Sequence, residues 1–575
     1  MLHSKLEERL RVAVAAVLPD ANPGAIQVRP CPDPKFGDYQ TTSLMTLAKD
    51  RRMNPRQLAT DVLQKLDVSG WSEKVEIAGA GFLNFRVKPS AVARELEAAS
   101  RGEHLFFKRA ETSRTVVIDF SSPNVAKPMH VGHIRSTILG DSLARLLRLL
   151  GHKVVTDNHI GDWGTQFGML IVGWKRELDR KALEADPIGE MERLYRKVHT
   201  ESENDPAVRE QARQELVKLQ RGDETDLAIW REMIALSEIQ FDAIYRRLGV
   251  KFDHTFGESF YNPHLQAVVD DLRSRGIARE SEGAMAVFFD DVPALKGQPA
   301  LIQKRDGGFN YATTDLATLE YRLNTWHPDE IIYVTDGRQQ LHFQQVFTAF
   351  RKWRSDAKVK LAHVWFGSIL GEDGTPFKTR SGETVKLADL LDEAEERAFA
   401  VVSEKNPDLP EPPRREIARI VGIGAVKYAD LLPNRQTDYV FSWDRMLALQ
   451  GNTAPYLQYA YARIRSIFRK GSEGGAVTLP AATQLALNAP HELALAKHLL
   501  RFGLVLEAVA DDYRPNFLCN YLYELAGLFA GFYENCPVLK AEASERASRL
   551  ALCDLTGRVL KQGFELLGIE VLEQM

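Results

Sequence analysis

Thr115-Val116-Val117-Ile118-Asp119-Phe120, followed by Ser121-Ser122-Pro123-Asn124, is the stretch that decides the fold of this chain. Six residues dominated by β-branched and aromatic side chains read as a buried strand, and the polar tetrapeptide reads as the loop that ends it. A helix follows, with Ile134, Ile138, Leu139, Leu143, Leu146, Leu147 and Leu150 at helical spacing. Gly151 stops it, and Lys153-Val154-Val155-Thr156-Asp157 is the next strand. Strand, helix and strand in that order imply parallel pairing through a right-handed crossover.

Outward from this unit the alternation is interrupted and then resumes. From about Lys175 to Arg247 the chain is highly charged and helical, with Leu194, Val198, Leu216, Leu219 and Ile229 as the expected buried stripe. It reads as a helical insertion (about 175–250) between two halves of one sheet. Glu330-Ile331-Ile332-Tyr333-Val334, a helix through Val346 and Phe350, and Val359-Lys360-Leu361-Ala362-His363-Val364 continue the α/β pattern. Before it, residues 1–110 hold an amphipathic helix (Leu6, Leu10, Val14, Val17), the turn-rich Asp33-Pro34-Lys35-Phe36-Gly37-Asp38-Tyr39, and strands at Lys74–Ala78 and Phe82–Val87, which make a small α+β domain. After the proline-rich 406–413 the chain is expected to be helical to Met575, with one sizeable interruption at Gly471–Gly475. The expected fold is therefore α/β: a Rossmann-like parallel-sheet catalytic domain (111–400), an N-terminal α+β domain, a helical connector (401–450) and a C-terminal all-α bundle (451–575).

The 575 residues allow roughly three to five domains. A 44% hydrophobic and 26% charged composition excludes disorder, collagen and coiled coil as descriptions of the whole. Lysine plus arginine (74) nearly balance aspartate plus glutamate (78), so a uniformly basic nucleic-acid binder is excluded, while a local basic face is not. No apolar run approaches the ~18 residues of a membrane helix, and the start lacks a signal-peptide core. A cytoplasmic protein with no membrane association is expected. Cys31, Cys519, Cys536 and Cys553 form no C-x-x-C, so buried free thiols are expected rather than a disulfide frame or a zinc site.

The loop after the first strand leads into His130-Val131-Gly132-His133. In parallel sheets ligands bind beyond the carboxyl ends of the strands, where helix N-termini favour anions such as phosphate. Two imidazoles at i and i+3 share one face of the first helical turn, and Gly132 lets a flat ligand approach. Histidine N–H groups then suit the phosphates of ATP without any nucleophile. A zinc pair would need a third ligand, and neither a Cys nor an H-E-x-x-H accompanies these residues.

Ser122-Pro123-Asn124-Val125-Ala126-Lys127-Pro128-Met129-His130-Val131-Gly132-His133-Ile134-Arg135-Ser136 resembles the signature of the arginyl-tRNA synthetases, class I enzymes. So does Asn158-His159-Ile160-Gly161-Asp162-Trp163-Gly164-Thr165-Gln166-Phe167-Gly168, and the similarity extends from Phe36-Gly37-Asp38-Tyr39 to Asn452-Thr453-Ala454-Pro455-Tyr456. The resemblance implies ATP-dependent activation of L-arginine and its transfer to tRNA(Arg), with Mg²⁺ accompanying ATP, no protein-bound metal, and a monomer. It implies a mobile phosphate loop at Gly371-Glu372-Asp373-Gly374-Thr375-Pro376-Phe377-Lys378-Thr379-Arg380-Ser381-Gly382. Class I synthetases generally carry K-M-S-K-S there; this sequence offers Lys378 and Arg380, and Lys127 matches the lysine thought to compensate in arginyl enzymes.

Selecting arginine over lysine needs carboxylates placed around a planar guanidinium. Glu258 and the pair Tyr311/Asp315, four residues apart, are the candidates, and on residues alone Asp315 is an ordinary helix-surface acid. The resemblance implies that Asp315 and Glu258 clasp the guanidinium with Tyr311, that Asn124 and Gln339 hold the substrate's amino and carboxylate end beside Ser122, and that His133 lies near both ligands. Tyr456-Leu457-Gln458-Tyr459-Ala460-Tyr461-Ala462-Arg463-Ile464-Arg465 interleaves aromatics with basics around a stripe of Leu457, Ala460, Ile464 and Ile467. An ordinary amphipathic helix fits that pattern, as does stacking on unpaired bases. The resemblance places anticodon binding here, with Tyr456, Tyr459 and Arg463 as contacts, and a tRNA-elbow domain at the N-terminus with Phe36, Asp38 and Tyr39. Two rivals remain: another H-x-G-H enzyme, whether a synthetase of different specificity or a small adenylyltransferase, and a synthetase-like RNA-binding protein without catalysis.

Overall fold

The computed structural model describes residues 1–377, 384–472 and 484–575. Two compact units result: Met1–Arg109 with Ala448–Glu565 and Glu570–Met575, and Ala110–Leu447 with Leu566–Ile569.

The second unit is built on a parallel sheet of β1 (Thr115–Asp119), β2 (Lys153–Asp157), β3 (Glu330–Tyr333) and β4 (Lys360–His363), in the order β4-β3-β1-β2. Val117 faces Ile331 on one side and Val155 on the other, so the quoted run is a central strand. Buried on both faces, it reads as a continuous apolar run rather than an alternation. Helix α1 (Val131–Leu149) buries Ile134, Ile138, Leu139, Leu143, Leu146 and Leu147. Its approach to the sheet is close: a Cβ at Gly140 would lie 2.1 Å from the Phe120 ring, so any larger residue would push the helix off the strand end. Helices α2 (Tyr311–Trp326) and α3 (Gln340–Trp353) flank β3.

The insertion is five helices, Gln166–Glu177, Arg180–Ala185, Pro187–Asn204, Pro206–Gln220 and Glu224–Leu248. Asp179, Asp186, Asp205 and Asp223 each cap the next helix through a side-chain oxygen, and prolines open two of them. Of the expected stripe, Leu194, Val198 and Leu219 are buried, whereas Leu216 and Ile229 are only half-buried. A three-stranded antiparallel sheet (Ala278–Ser281, Ala284–Val287, Ala300–Gln303) and the helix Asn262–Ser274 follow, and they share a core with β1 and β3 through Val287, Ile302 and Leu265.

The tail corrects one expectation. Leu387–Lys405 and Glu411–Leu431 are helices, but 432–453 is irregular apart from Trp443–Met446 and a two-residue pairing of Tyr439–Val440 with Ile369–Leu370. Fully buried Arg135 explains how that stretch is held: it donates to the carbonyls of Gly367 (2.7 Å) and Thr437 (3.2 Å) and pairs with Asp430 (3.1 Å). These bonds satisfy carbonyls that a helix would have satisfied internally. The expected interruption at Gly471–Gly475 falls mostly outside the described residues; the helix Ala454–Ser472 runs to its edge.

In the other unit, an antiparallel sheet ordered Arg29–Pro30, Tyr39–Thr41, Phe82–Val87, Ser72–Ala78 is joined by the helix Leu2–Val17 and by the C-terminal helices. Leu6, Leu10 and Val14 are buried and Val17 is half-buried.

Candidate active site

Chain connections leave β1 and β3, neighbours at the centre of the sheet, towards opposite edges. Their carboxyl ends therefore open a crevice, the place where a parallel sheet takes a ligand. Pro123 to His130 line one wall of it. Ser121 (φ 74°), Ser122 (φ 51°) and Ala126 (φ 60°) adopt the left-handed conformation although none is glycine, a strained geometry that surrounding contacts have to hold.

At the start of α1 the two histidines cap the helix and each other. Gly132 N–H donates to His130 Nδ1 and His130 N–H donates to His133 Nδ1, both at 3.0 Å, with the rings 3.9 Å apart. With Nδ1 an acceptor, each neutral ring carries its proton on Nε2. Burial and the neighbouring His130 hold His133 down at about 3, and burial with Arg338 and Lys127 lowers His130. Two neutral Nε2–H donors thus stand at a helix N-terminus. A Cβ at Gly132 would sit 2.8 Å from His130 Cε1, so this arrangement requires glycine.

Lys378 and Arg380 lie outside the described residues; the residues on either side of 378–383 are described. Phe377 N–H donates to Ile369 O (3.1 Å), and beyond the loop Val131 N–H donates to Val385 O (3.0 Å) and Leu387 N–H to Met129 O (2.8 Å). The loop's exit is thereby paired to the residues around His130. Lys127 is exposed, its Nζ 5.2 Å from the centre of the Tyr195 ring in the insertion.

Acidic groups gather at the other end of the crevice. Glu258 opens a short 3₁₀ turn whose N–H donates to Ile160 O (3.1 Å). Burial, then Asp315, then Asp162, push its carboxyl up to about 8. Asp162 is held by Ser259 N–H (2.8 Å) and hydroxyl, and burial raises it too. Asp315, one turn into α2, accepts from His342 Nε2 (2.5 Å), and that bond raises His342 against the opposing effect of its burial. Tyr311 stands 70% exposed at the helix start. Asn124 and Gln339 are exposed, Gln339 ending the short turn after β3, while Arg338 beside it is tied to Asp336. Ser122 Oγ donates to Asp119 Oδ1 (3.1 Å), and beneath it the fully buried Arg322 bridges Asp119 (2.6 Å) and Asp157 (2.8 Å).

The structure thus brings Ser122, Asn124, the histidines and Lys127 onto one loop and helix start, and couples Glu258 to Asp315. His342, Asp162 and Arg322 were missed by the reading of the sequence. Asp162 stood within the quoted run Asn158–Gly168 without being given a role, His342 lay at i+3 from Gln339, and nothing in the spacing marked Arg322.

In the other unit the expected RNA contacts separate. Phe36 is 59% exposed, but Tyr39 is 3% exposed, and Asp38 is taken by Lys497 (2.7 Å) and Val87 N–H (2.8 Å). On the helix Ala454–Ser472, Tyr461 and Arg465 are bound by Glu573 (3.0 and 2.7 Å). The opposite flank is open: Tyr459 is 44% exposed, Arg463 lies 5.1 Å from its ring and 5.7 Å from that of Tyr533, and Tyr456 packs edge-on to Tyr523.

The crevice sets paired neutral imidazoles on one side and acidic side chains on the other, and the chain is a class I tRNA synthetase: the family model for the tRNA synthetases class I (R) catalytic domain matches residues 96–443. Models for the arginyl tRNA synthetase N terminal domain and the DALR anticodon binding domain match 4–87 and 457–575. The chain is 47% identical to the arginine–tRNA ligase of Laribacter hongkongensis over 100% of this chain and 99% of that protein, and 48% identical to that of Klebsiella pneumoniae over the same shares. The solved structure of Thermus thermophilus arginyl-tRNA synthetase superposes with a TM-score of 0.85 at 27% identity, covering 100% of both chains. The chain belongs to the arginyl-tRNA synthetases, a family of aminoacyl-tRNA ligases that use ATP.

Proposed function

We propose that this chain activates L-arginine with ATP, releasing pyrophosphate, and transfers the arginyl group to the 3′-terminal ribose of tRNA(Arg). The observation that carries the arginine reading is that Glu258, on the turn bonded to Ile160 beside the Asn124–Gly161 pairing, lies within electrostatic reach of Asp315 in the crevice that holds the histidine pair. The Asp315 carboxylate disfavours ionisation of the Glu258 carboxyl beside it; a guanidinium with five donors relieves that and can bond both.

In this reading Asp315 and Glu258 clasp the guanidinium with Tyr311, and Asn124, Gln339 and Ser122 orient the amino and carboxylate end. The carboxylate attacks the α-phosphate. The Nε2–H groups of His130 and His133 donate to the phosphate oxygens, while Lys127 with Lys378 and Arg380 neutralises charge as pyrophosphate leaves. Mg²⁺ would accompany ATP and supply charge neutralisation at the triphosphate, with no protein side chain assigned to hold it. The ribose hydroxyl then attacks the carbonyl of the arginyl-adenylate, forming the ester and breaking the mixed-anhydride bond so that AMP leaves. No covalent enzyme intermediate is needed, because positioning and charge stabilisation suffice for phosphoryl chemistry of this kind. Phe36 at the tRNA elbow and Tyr456, Tyr459 and Arg463 at the anticodon supply stacking and charge for tRNA, and the enzyme works as a cytoplasmic monomer.

The test is arginine-dependent ATP–pyrophosphate exchange with and without tRNA(Arg), with lysine as control. Exchange only with arginine and tRNA is expected; exchange with lysine, or none under any condition, overturns the reading. Lys127→Ala should depress adenylate formation more than tRNA binding, and unchanged exchange in that variant would remove Lys127 from the mechanism.

A further inference from the structure

The strain at Ser121, Ser122 and Ala126 needs a source of restraint, and the structure supplies it from one face of the insertion helix Glu224–Leu248. Ser237, fully buried, accepts the Ala126 N–H on its Oγ at 3.0 Å. Two turns further along, Tyr245, also buried, places its hydroxyl 2.8 Å from Ser121 Oγ and 3.1 Å from Asn158 Nδ2. Asn158 Nδ2–H can only donate, so the Tyr245 oxygen accepts from it and its proton is free for Ser121. Asn158 Oδ1 in turn accepts the Ser122 N–H at 3.0 Å, and Ser136 Oγ accepts the Ser121 N–H at 2.8 Å. Each of the three left-handed residues therefore has its N–H held by a buried side chain, and two of those restraints run through the insertion. The residues so held precede and flank Ser122, Asn124 and Lys127.

We infer that Ser237 and Tyr245 are positioning residues: their hydroxyls clamp the loop 121–127 in its left-handed geometry and thereby set the aim of Ser122, Asn124 and Lys127. The inference deepens the proposed function and rests on it for its kinetic readout. Without the clamp an alanine at φ 60° relaxes towards the ordinary right-handed or extended regions. That rotates the chain between Asn124 and Lys127. A glycine at 126 has no such preference.

The decisive experiment is a double-mutant cycle between Ser237→Ala and Ala126→Gly in the full-length enzyme, with Tyr245→Phe as an independent variant. Each is assayed by pyrophosphate exchange with arginine and ATP varied separately, alongside thermal unfolding and amide hydrogen exchange across 121–127. Ser237→Ala in the natural background should lower kcat/KM for arginine about fivefold to tenfold, and in the Ala126→Gly background about twofold or less. Tyr245→Phe should raise the KM for arginine with its fold intact. Faster amide exchange confined to 121–127 is expected for both single variants, and this reads the clamp with no assumption about substrate. An enzyme inactive before any substitution would therefore sink the proposed function while leaving the clamp decided by amide exchange. The same factor in both backgrounds, or unaltered loop exchange, would overturn the inference, because a helix that merely stabilises the fold would not know whether residue 126 carries a Cβ.

Discussion

The two ends of the crevice are held together in opposite ways. At the phosphate end, the side-chain restraints on His130 and His133 are local: backbone N–H groups within three residues bond their Nδ1 atoms, and the rings are neutral. At the arginine end the acids come from a 3₁₀ turn (Glu258), a loop after β2 (Asp162) and α2 (Asp315), with His342 reaching in from α3. One end is a prepared donor set for anions. The other is a set of acids from separate elements, where burial and Asp315 push the Glu258 carboxyl up to about 8, which makes it responsive to pH.

Removing one acid should separate the ends most sharply. Asp315→Asn is expected to raise the KM for arginine about a hundredfold, since it breaks a half-buried charge-assisted contact, while the KM for ATP shifts less than about twofold. Equal changes in both, measured by pyrophosphate exchange, would mean that Asp315 supports the fold rather than the substrate. The complementary break is Gly132→Ala, whose Cβ would displace the His130 ring. It should reduce the rate of adenylate formation by about tenfold or more in single-turnover assays, with arginine affinity nearly unchanged.

A pH titration sharpens the contrast. Glu258, pushed up to about 8, is neutral in the free enzyme at pH 7 and must ionise to clasp a guanidinium. Arginine affinity should therefore rise with pH through the range below 8, by at most about tenfold per unit, and level off above it. Calorimetry in two buffers of different ionisation enthalpy should show close to one proton released per arginine at pH 7. His133, held at about 3, gives ATP affinity no corresponding inflection there. A flat arginine profile would mean that Glu258 is already ionised.

The smallest effect is on stability. The Glu258 carboxyl ionises near 4.5 in the unfolded chain and at about 8 in the folded one, so the folded state holds the proton more tightly. Stability is undiminished below 4.5 and is lost as pH climbs towards 8. Glu258→Gln should thus leave the melting temperature near pH 5 almost unchanged and raise it by about a degree or two at pH 8. A drop at pH 8 would reverse the sign of the argument.

How much of this was legible in residues alone follows the same division. The run Thr115–Phe120 became β1 to within one residue, and α1 and the three other parallel strands lie where periodicity put them, because each carries its apolar pattern within its own length. The sheet Ala278–Ser281, Ala284–Val287, Ala300–Gln303 passed unread: Val287 and Ile302 are the only β-branched or aromatic residues in its three strands, so none of them carries a strand-like run. The irregular 432–453 was taken for helix although Pro433, Asn434 and Gly451 punctuate it, because what holds it, Arg135, lies some three hundred residues earlier.

For the site, the motif His130–His133 carries its own geometry, since a capping histidine, a glycine and a second histidine can only meet at a helix start. Tyr39 and Asp38 show the limit of motif reading, for one is buried and the other is paired with Lys497. Local chemistry that acts through neighbours in the chain (strand periods, Asp-Pro helix starts, the imidazole pair) was settled by the order of the amino acids. The carboxylate clasp, the His342 bond to Asp315 and the clamp of Ser237 and Tyr245 on the loop were settled by folding, because a charge or a hydroxyl acquires its function from groups that the fold brings to it across tens to hundreds of residues.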